Sequence, residues 1–299
     1  MSERGASRPA VLAWTAVLLI LLGAVGLVTY ALTHVSSPAT AAQTARTSPG
    51  VLAALSDVPS ATFDEVGVTV PGVDLTPPQL ISGPALESGG KPEVLFIGAE
   101  YCPFCAAERW PLIVALSRFG RFRVLHDASS TNQSVFPGTP TFSFVGNQYV
   151  SPYVTFSGVE LYSDLIGADG AFTRIAGLTG AQQAIVARAG ASGAITAGTA
   201  PFVDIGGQVA TSTSAFTPAL LAGQSQAQVA DEVATMSPAP TGSVPGSSVP
   251  TGRAVIAAAN QLTAGICLVT GSRPAAVCQS KGVRAAAAAL GTSAPAAGA

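Results

Sequence analysis

Glu93-Val94-Leu95-Phe96-Ile97-Gly98-Ala99-Glu100-Tyr101-Cys102-Pro103-Phe104-Cys105-Ala106-Ala107-Glu108-Arg109-Trp110 is the most informative stretch of the chain. Val94 to Ile97 is a short, continuous apolar run rich in β-formers, the mark of a strand buried on both faces. Ala106-Ala107-Glu108-Arg109-Trp110, followed by Leu112 to Leu116, reads as a helix. Pro103 suits the first turn of that helix, where its missing N–H leaves no bond unmade. Cys102 and Cys105 therefore fall at a strand-to-helix junction.

That placement has a chemical consequence. Cys102 lies near free backbone N–H groups at the positive end of the helix dipole, which favour the thiolate, the attacking species in disulfide exchange. Cys105 follows three residues on, about one helical turn away, close enough to close a disulfide and release a mixed-disulfide intermediate. Two other readings stay open for the pair: a static disulfide, or half of a zinc knuckle. Zinc would need a second close pair, and Cys267 and Cys278 do not have that spacing.

Working outward, the chain has 299 residues, room for about two domains or for one with long appendages. Only 10% of residues are charged, which excludes a coiled coil and a highly charged disordered chain. Fourteen basic and sixteen acidic residues, with no basic run, argue against nucleic acid as a partner. His34 and His126 are too few and too far apart for a His-rich metal site, and no bound cofactor is expected. Ala10 to Leu32 is 23 residues long without a charge, enough to cross a hydrocarbon core of about 30 Å. Arg4 and Arg8 precede it and the next Arg or Lys is Arg46, so the charge bias leaves the N-terminus in the cytoplasm and the remainder outside. Ala39 to Ala45 offers small residues for a signal peptidase, so an anchor and a cleaved signal are both open. Either way the cysteines are exported to where disulfides persist.

The expected organisation is a cytoplasmic stub and anchor over 1–35, a tether over 36–50, a main domain over 51–236, a Ser/Pro/Gly linker over 237–252 and a small helical segment over 253–299. Val66 to Val70 is a possible short strand, and Phe122 to Ala128 reads as another, carrying His126 in a structural position. Cys267 and Cys278 flank the turn Gly271-Ser272-Arg273-Pro274 and are expected to staple a helical hairpin, worth roughly 3 kcal/mol by chain entropy. A relay of electrons to or from Cys102 and Cys105 is the alternative.

Gly98-Ala99-Glu100-Tyr101-Cys102-Pro103-Phe104-Cys105 resembles the active-site segment of the thioredoxin superfamily. Over Gly90 to Gly120, together with Thr139-Pro140-Thr141-Phe142-Ser143-Phe144, the chain is similar to a family of membrane-anchored thioredoxin-like proteins known as domain of unknown function 929. The resemblance implies an α/β, thioredoxin-like central mixed sheet with flanking helices and an insertion over 130–195, preceded by one transmembrane helix. It implies Cys102 as nucleophile and Cys105 as resolving thiol. It also implies a cis-proline opposite the cysteines, with adjacent backbone for substrate. Pro201, after Ala200, is the favoured candidate and Pro140 the other. Pro103 and Phe104 complete the expected substrate-binding set. Pro111 falls where such proteins often kink the helix. The buried acid that thioredoxins carry on the preceding strand is absent, and Glu100 and Glu108 are expected to be solvated rather than to move protons.

The expected activity is that of an extracytoplasmic, membrane-tethered thiol–disulfide oxidoreductase. Its expected partners are thiols or disulfides of exported proteins and a membrane redox partner for recycling. The alternative is a non-catalytic thioredoxin-like binding or scaffold module with structural disulfides.

Overall fold

The structure is a computed structural model that describes residues 45–193, 195–196, 198–235 and 251–292. The apolar span expected over Ala10 to Leu32 and most of both expected tethers lie outside the described residues. Two short helices come first, α1 (Pro49–Ser56) and α2 (Ser60–Val66). The Ser48 hydroxyl caps α1 by accepting from Val51 N–H at 3.3 Å. Helix α2 occupies the start of the run read as a strand, and Val70 makes only an isolated bridge to Val73. The tether expected up to residue 50 ends earlier, because Arg46 bridges His126 and Thr47 is buried.

Then come β1 (Gln79–Leu80), β2 (Glu87–Ser88) and β3 (Lys91–Gly98), followed by helix α3 (Pro103–Ser117). The chain continues through β4 (Arg121–Ser129), β5 (Pro140–Val150), β6 (Thr155–Glu160), β7 (Tyr162–Ile166) and β8 (Phe172–Arg174). Helix α4 (Gly180–Ala191) leads to the hairpin of β9 (Phe202–Ile205) and β10 (Val209–Thr211). A 3-10 turn (Pro218–Leu221) and helix α5 (Gln226–Thr235) follow, and beyond the undescribed linker come α6 (Thr251–Val269), α7 (Ala275–Cys278) and α8 (Lys281–Leu290).

Among the described residues, β3 is the centre of a mixed sheet. It pairs in parallel with β6, Val94 opposite Phe156 and Gly98 opposite Glu160. It pairs antiparallel with β9, Leu95 opposite Asp204 and Phe96 opposite Val203. β10 and β1 extend the β9 edge. The apolar run has the predicted double burial, because successive side chains on a strand face opposite ways. Val94 and Phe96 join the core formed with α3 and α6, whereas Leu95 and Ile97 pack with Ile185 and Ala189 of α4. β4 and β5 form a separate antiparallel pair, as do β7 and β8. Phe172–Arg174 is strand, and the helix that follows starts at Gly180.

Helix α6 is the main departure from the expected organisation. It is the one described helix long and apolar enough to cross a membrane by length and composition, yet it is 83% buried inside the fold. Its residues pack against α3, α5 and α8. The described residues fall in one compact unit, so 253–292 is part of the main core rather than a separate appendage. Cys267, near the end of α6, is disulfide-bonded to Cys278 of α7, and both are buried.

Candidate functional site

Gly98 ends β3, and Cys102 stands four residues later as the N-cap of α3. Its Sγ accepts from Cys105 N–H at 3.2 Å, so the sulfur takes the place that a Ser or Asp oxygen occupies in an ordinary cap. Cys102 is half-buried and Cys105 fully buried, both as free thiols. A hydrogen bond from the Cys105 thiol pulls the Cys102 thiol down to about 7, helped by the Cys105 N–H and the charge of Arg109 against the opposing effect of burial. Burial pushes the Cys105 thiol well above its usual range. The two sulfurs are thus unequal: one half-buried and easily ionised, the other covered and protonated.

Of the expected substrate-binding residues, Ala200 reaches the Cys102 sulfur. The Ala200–Pro201 peptide bond is cis, and Ala200 O lies 4.0 Å from Cys102 Sγ. Pro140 instead begins β5, where its carbonyl accepts from the Trp110 indole N–H at 2.9 Å. Pro103 is buried in the first turn, while Phe104 is 39% exposed and meets Phe136 edge-on, ring centroids 5.8 Å apart. Tyr101 stacks on Phe172 at 4.1 Å, and its carbonyl accepts from Thr131 N–H at 3.0 Å. These contacts tie the β4–β5 loop and the β7–β8 hairpin to the cysteine loop. Helix α3 runs unbroken through Pro111.

Several charged groups occupy positions that differ from the sequence expectation. Glu100 and Glu108, expected at a solvated surface, are 5% and 1% exposed. Ser143 Oγ–H donates to Glu100 Oε1, but burial outweighs that bond and raises the carboxyl group above its ordinary range. Glu108 Oε2 accepts from Ala215 N–H at 2.7 Å, and burial pushes the acid up to about 8. Arg109 is fully buried against Glu160, with Nε to Oε1 at 3.0 Å and Nη2 to Oε2 at 2.6 Å. Burial favours loss of the proton, but Glu160 overcomes it and keeps the guanidinium charged. This ion pair escaped the sequence reading: Arg109 lies inside the quoted motif, four residues after Cys105, but Glu160 carries no local signal. His126 is half-buried with Nδ1 3.0 Å from Val145 O, a structural position as expected.

Fold and site together define an α/β protein whose central strand delivers a Cys-x-x-Cys pair to a helix N-terminus. Residues 78–166 match the model of a family described as Domain of unknown function (DUF929). The matched span holds β3, both free cysteines, Arg109 and Glu160, but not Pro201 or α6. No curated protein and no solved structure matches the chain.

Proposed function

We propose that the chain is an extracytoplasmic, membrane-tethered thiol–disulfide oxidoreductase with a thioredoxin-like arrangement, acting on exported proteins and recycled by a membrane redox partner. The observation that carries this reading is the inequality of the two thiols. A half-buried Cys102 with its thiol near 7 is part-ionised at neutral pH, and a buried Cys105 donates to it from one turn away. The buried Cys267–Cys278 disulfide supports an oxidising compartment.

The exchange balances with sulfur alone. The Cys102 thiolate attacks one sulfur of a substrate disulfide, which breaks that bond, forms a mixed disulfide and expels the first substrate thiolate. Cys105 then loses its proton and attacks Cys102 Sγ, forming the intramolecular disulfide and expelling the second. Two protons end on the substrate thiols, the substrate gains two electrons, and the protein pair is oxidised. The reverse sequence oxidises a substrate dithiol. The potential of the pair selects the direction, since about −120 mV marks a strong oxidant and about −270 mV a thioredoxin-like reductant.

Cys105→Ser in the full-length chain tests the reading directly. The variant should accumulate covalent adducts with exported proteins that dithiothreitol releases, and Cys102→Ser should accumulate none. A Cys105→Ser chain that folds yet traps no partner would leave the pair as a brace.

A further inference from the structure

The buried Arg109–Glu160 pair is the least expected charge in the molecule. Replacing such a pair by apolar side chains of similar volume often leaves stability unchanged or higher, so stability alone is a weak reason for it. Its geometry points toward the cysteines. Arg109 Nη2 donates to Ala99 O at 3.0 Å, and the same carbonyl accepts from Cys102 N–H at 3.2 Å. One oxygen thus joins the guanidinium to the backbone of the exposed cysteine. Glu160 holds the group from the other side through both carboxylate oxygens, and Phe96 and Phe144 flank it with ring centroids 5.1 and 6.0 Å from Cζ. Arg109 Nη1 is buried without a hydrogen-bond partner, so one arm of the cation is uncommitted.

We propose that Arg109 is a positioning residue for thiol–disulfide exchange: a buried counter-charge, fixed by Glu160, that favours the thiolate on Cys102 and then on Cys105. The idea rests on the exchange reading above. The Arg109 charge favours the ionised form of both sulfurs, in line with it. The titratable neighbours reached from the cysteine loop are Tyr101, which feels both cysteines and Tyr162, and Glu100, which feels Glu160 on β6 and Asp164 on β7. None of them is a second cation. A thiolate formed on buried Cys105 during resolution has few other sources of positive charge, which gives the uncommitted Nη1 a use during turnover.

The test is the thiolate titration of Cys102, followed by the pH dependence of iodoacetamide alkylation in full-length variants whose folding is checked by cooperative urea unfolding. Glu160→Gln removes the partner's negative charge and should lower the midpoint. Arg109→Met with Glu160→Gln removes both charges without stranding a carboxylate, and should raise it by about one pH unit, a roughly tenfold loss of thiolate below the midpoint. Arg109→Lys with native Glu160 should restore part of that shift. Displacements of opposite sign are not what a purely structural pair produces. Folded variants that titrate with the wild type overturn the inference alone, provided that Cys105→Ser still traps partners. A wild-type Cys102 titrating near 8.5, with no trapped partner, overturns the exchange reading and this inference together.

Discussion

Glu108 sits one turn beyond Cys105 on α3, 1% exposed, with one oxygen bonded to Ala215 N–H and the other without a partner. Burial raises its ionisation to about 8, from an ordinary 4.5. In the unfolded chain the group is already ionised above about 4.5, whereas in the folded chain it keeps its proton until about 8. The unfolded state therefore binds fewer protons in that window, and stability falls as pH rises through it. The slope from this one group is at most about 1.4 kcal/mol per pH unit. Glu108→Gln keeps the shape and an acceptor for Ala215 N–H but cannot ionise. Urea midpoints for that variant should decline less between pH 5 and 8 than those of the wild type; parallel curves would show that Glu108 does not remain protonated. The Cys102 dependence runs the other way: its lowered thiol favours the folded state as pH rises past 7, so the two groups partly offset each other at neutral pH.

At the scale of elements, β3 and α3 act as a unit, and the joint between them leaves space for a sulfur. A Cβ on Gly98 would lie 2.6 Å from Phe96 Cζ and 3.3 Å from Cys105 Sγ. Phe96 cannot step aside, since it is fully buried between Phe144, 5.0 Å away, and Arg109. Gly98→Ala should therefore cost about 1–3 kcal/mol of overpacking, seen as a lower urea midpoint. It should also slow closure of the Cys102–Cys105 disulfide in single-turnover exchange, because the crowded sulfur is the one that must move. Unchanged closure in the variant would mean that the joint imposes no limit on the second step. The Phe96 ring thus links packing to chemistry, touching the site of the added carbon on one side and the buried cation on the other.

Across the whole molecule, α6 is what the site rests on. It runs behind α3, and Val255, Ile256, Leu262 and Ile266 are each no more than 2% exposed. Fully burying a side chain of this kind contributes roughly 1.5–3 kcal/mol, so the four supply on the order of 10 kcal/mol, comparable with the whole stability of an ordinary domain, about 5–15 kcal/mol. Polar anchors add to this. Asn260 Nδ2 donates to Phe63 O and Gly67 O at 2.8 Å each, and Arg118, just after α3, donates to Asn260 Oδ1 at 3.1 Å. A chain ending at Thr235 should lose its sharp urea transition and its near-ultraviolet dichroism rather than remain as a smaller folded domain. A cooperative transition in that truncated chain would show that α6 is dispensable.

The local pattern around residues 93 to 116 was enough to determine a buried strand, a helix beginning at Pro103 and a cysteine pair between them, because strand alternation, proline placement and three-residue spacing are all short-range. Ala200 and Pro201 were reached only through the resemblance, and Ala200 O lies 4.0 Å from Cys102 Sγ. Three features depended on the tertiary structure alone. An apolar helix beyond a Pro/Ser/Gly linker has the same composition whether it is an appendage or a core element, and only its packing against α3 makes it core. Glu100, in the loop between β3 and α3, and Glu108, on the second turn of α3, become buried acids only when β5 and the 214–216 loop close over them. The Arg109–Glu160 pair joins residues 51 positions apart, and the parallel pairing of β3 with β6, which sets Glu160 opposite Gly98, is what places that carboxylate beneath the cysteine loop.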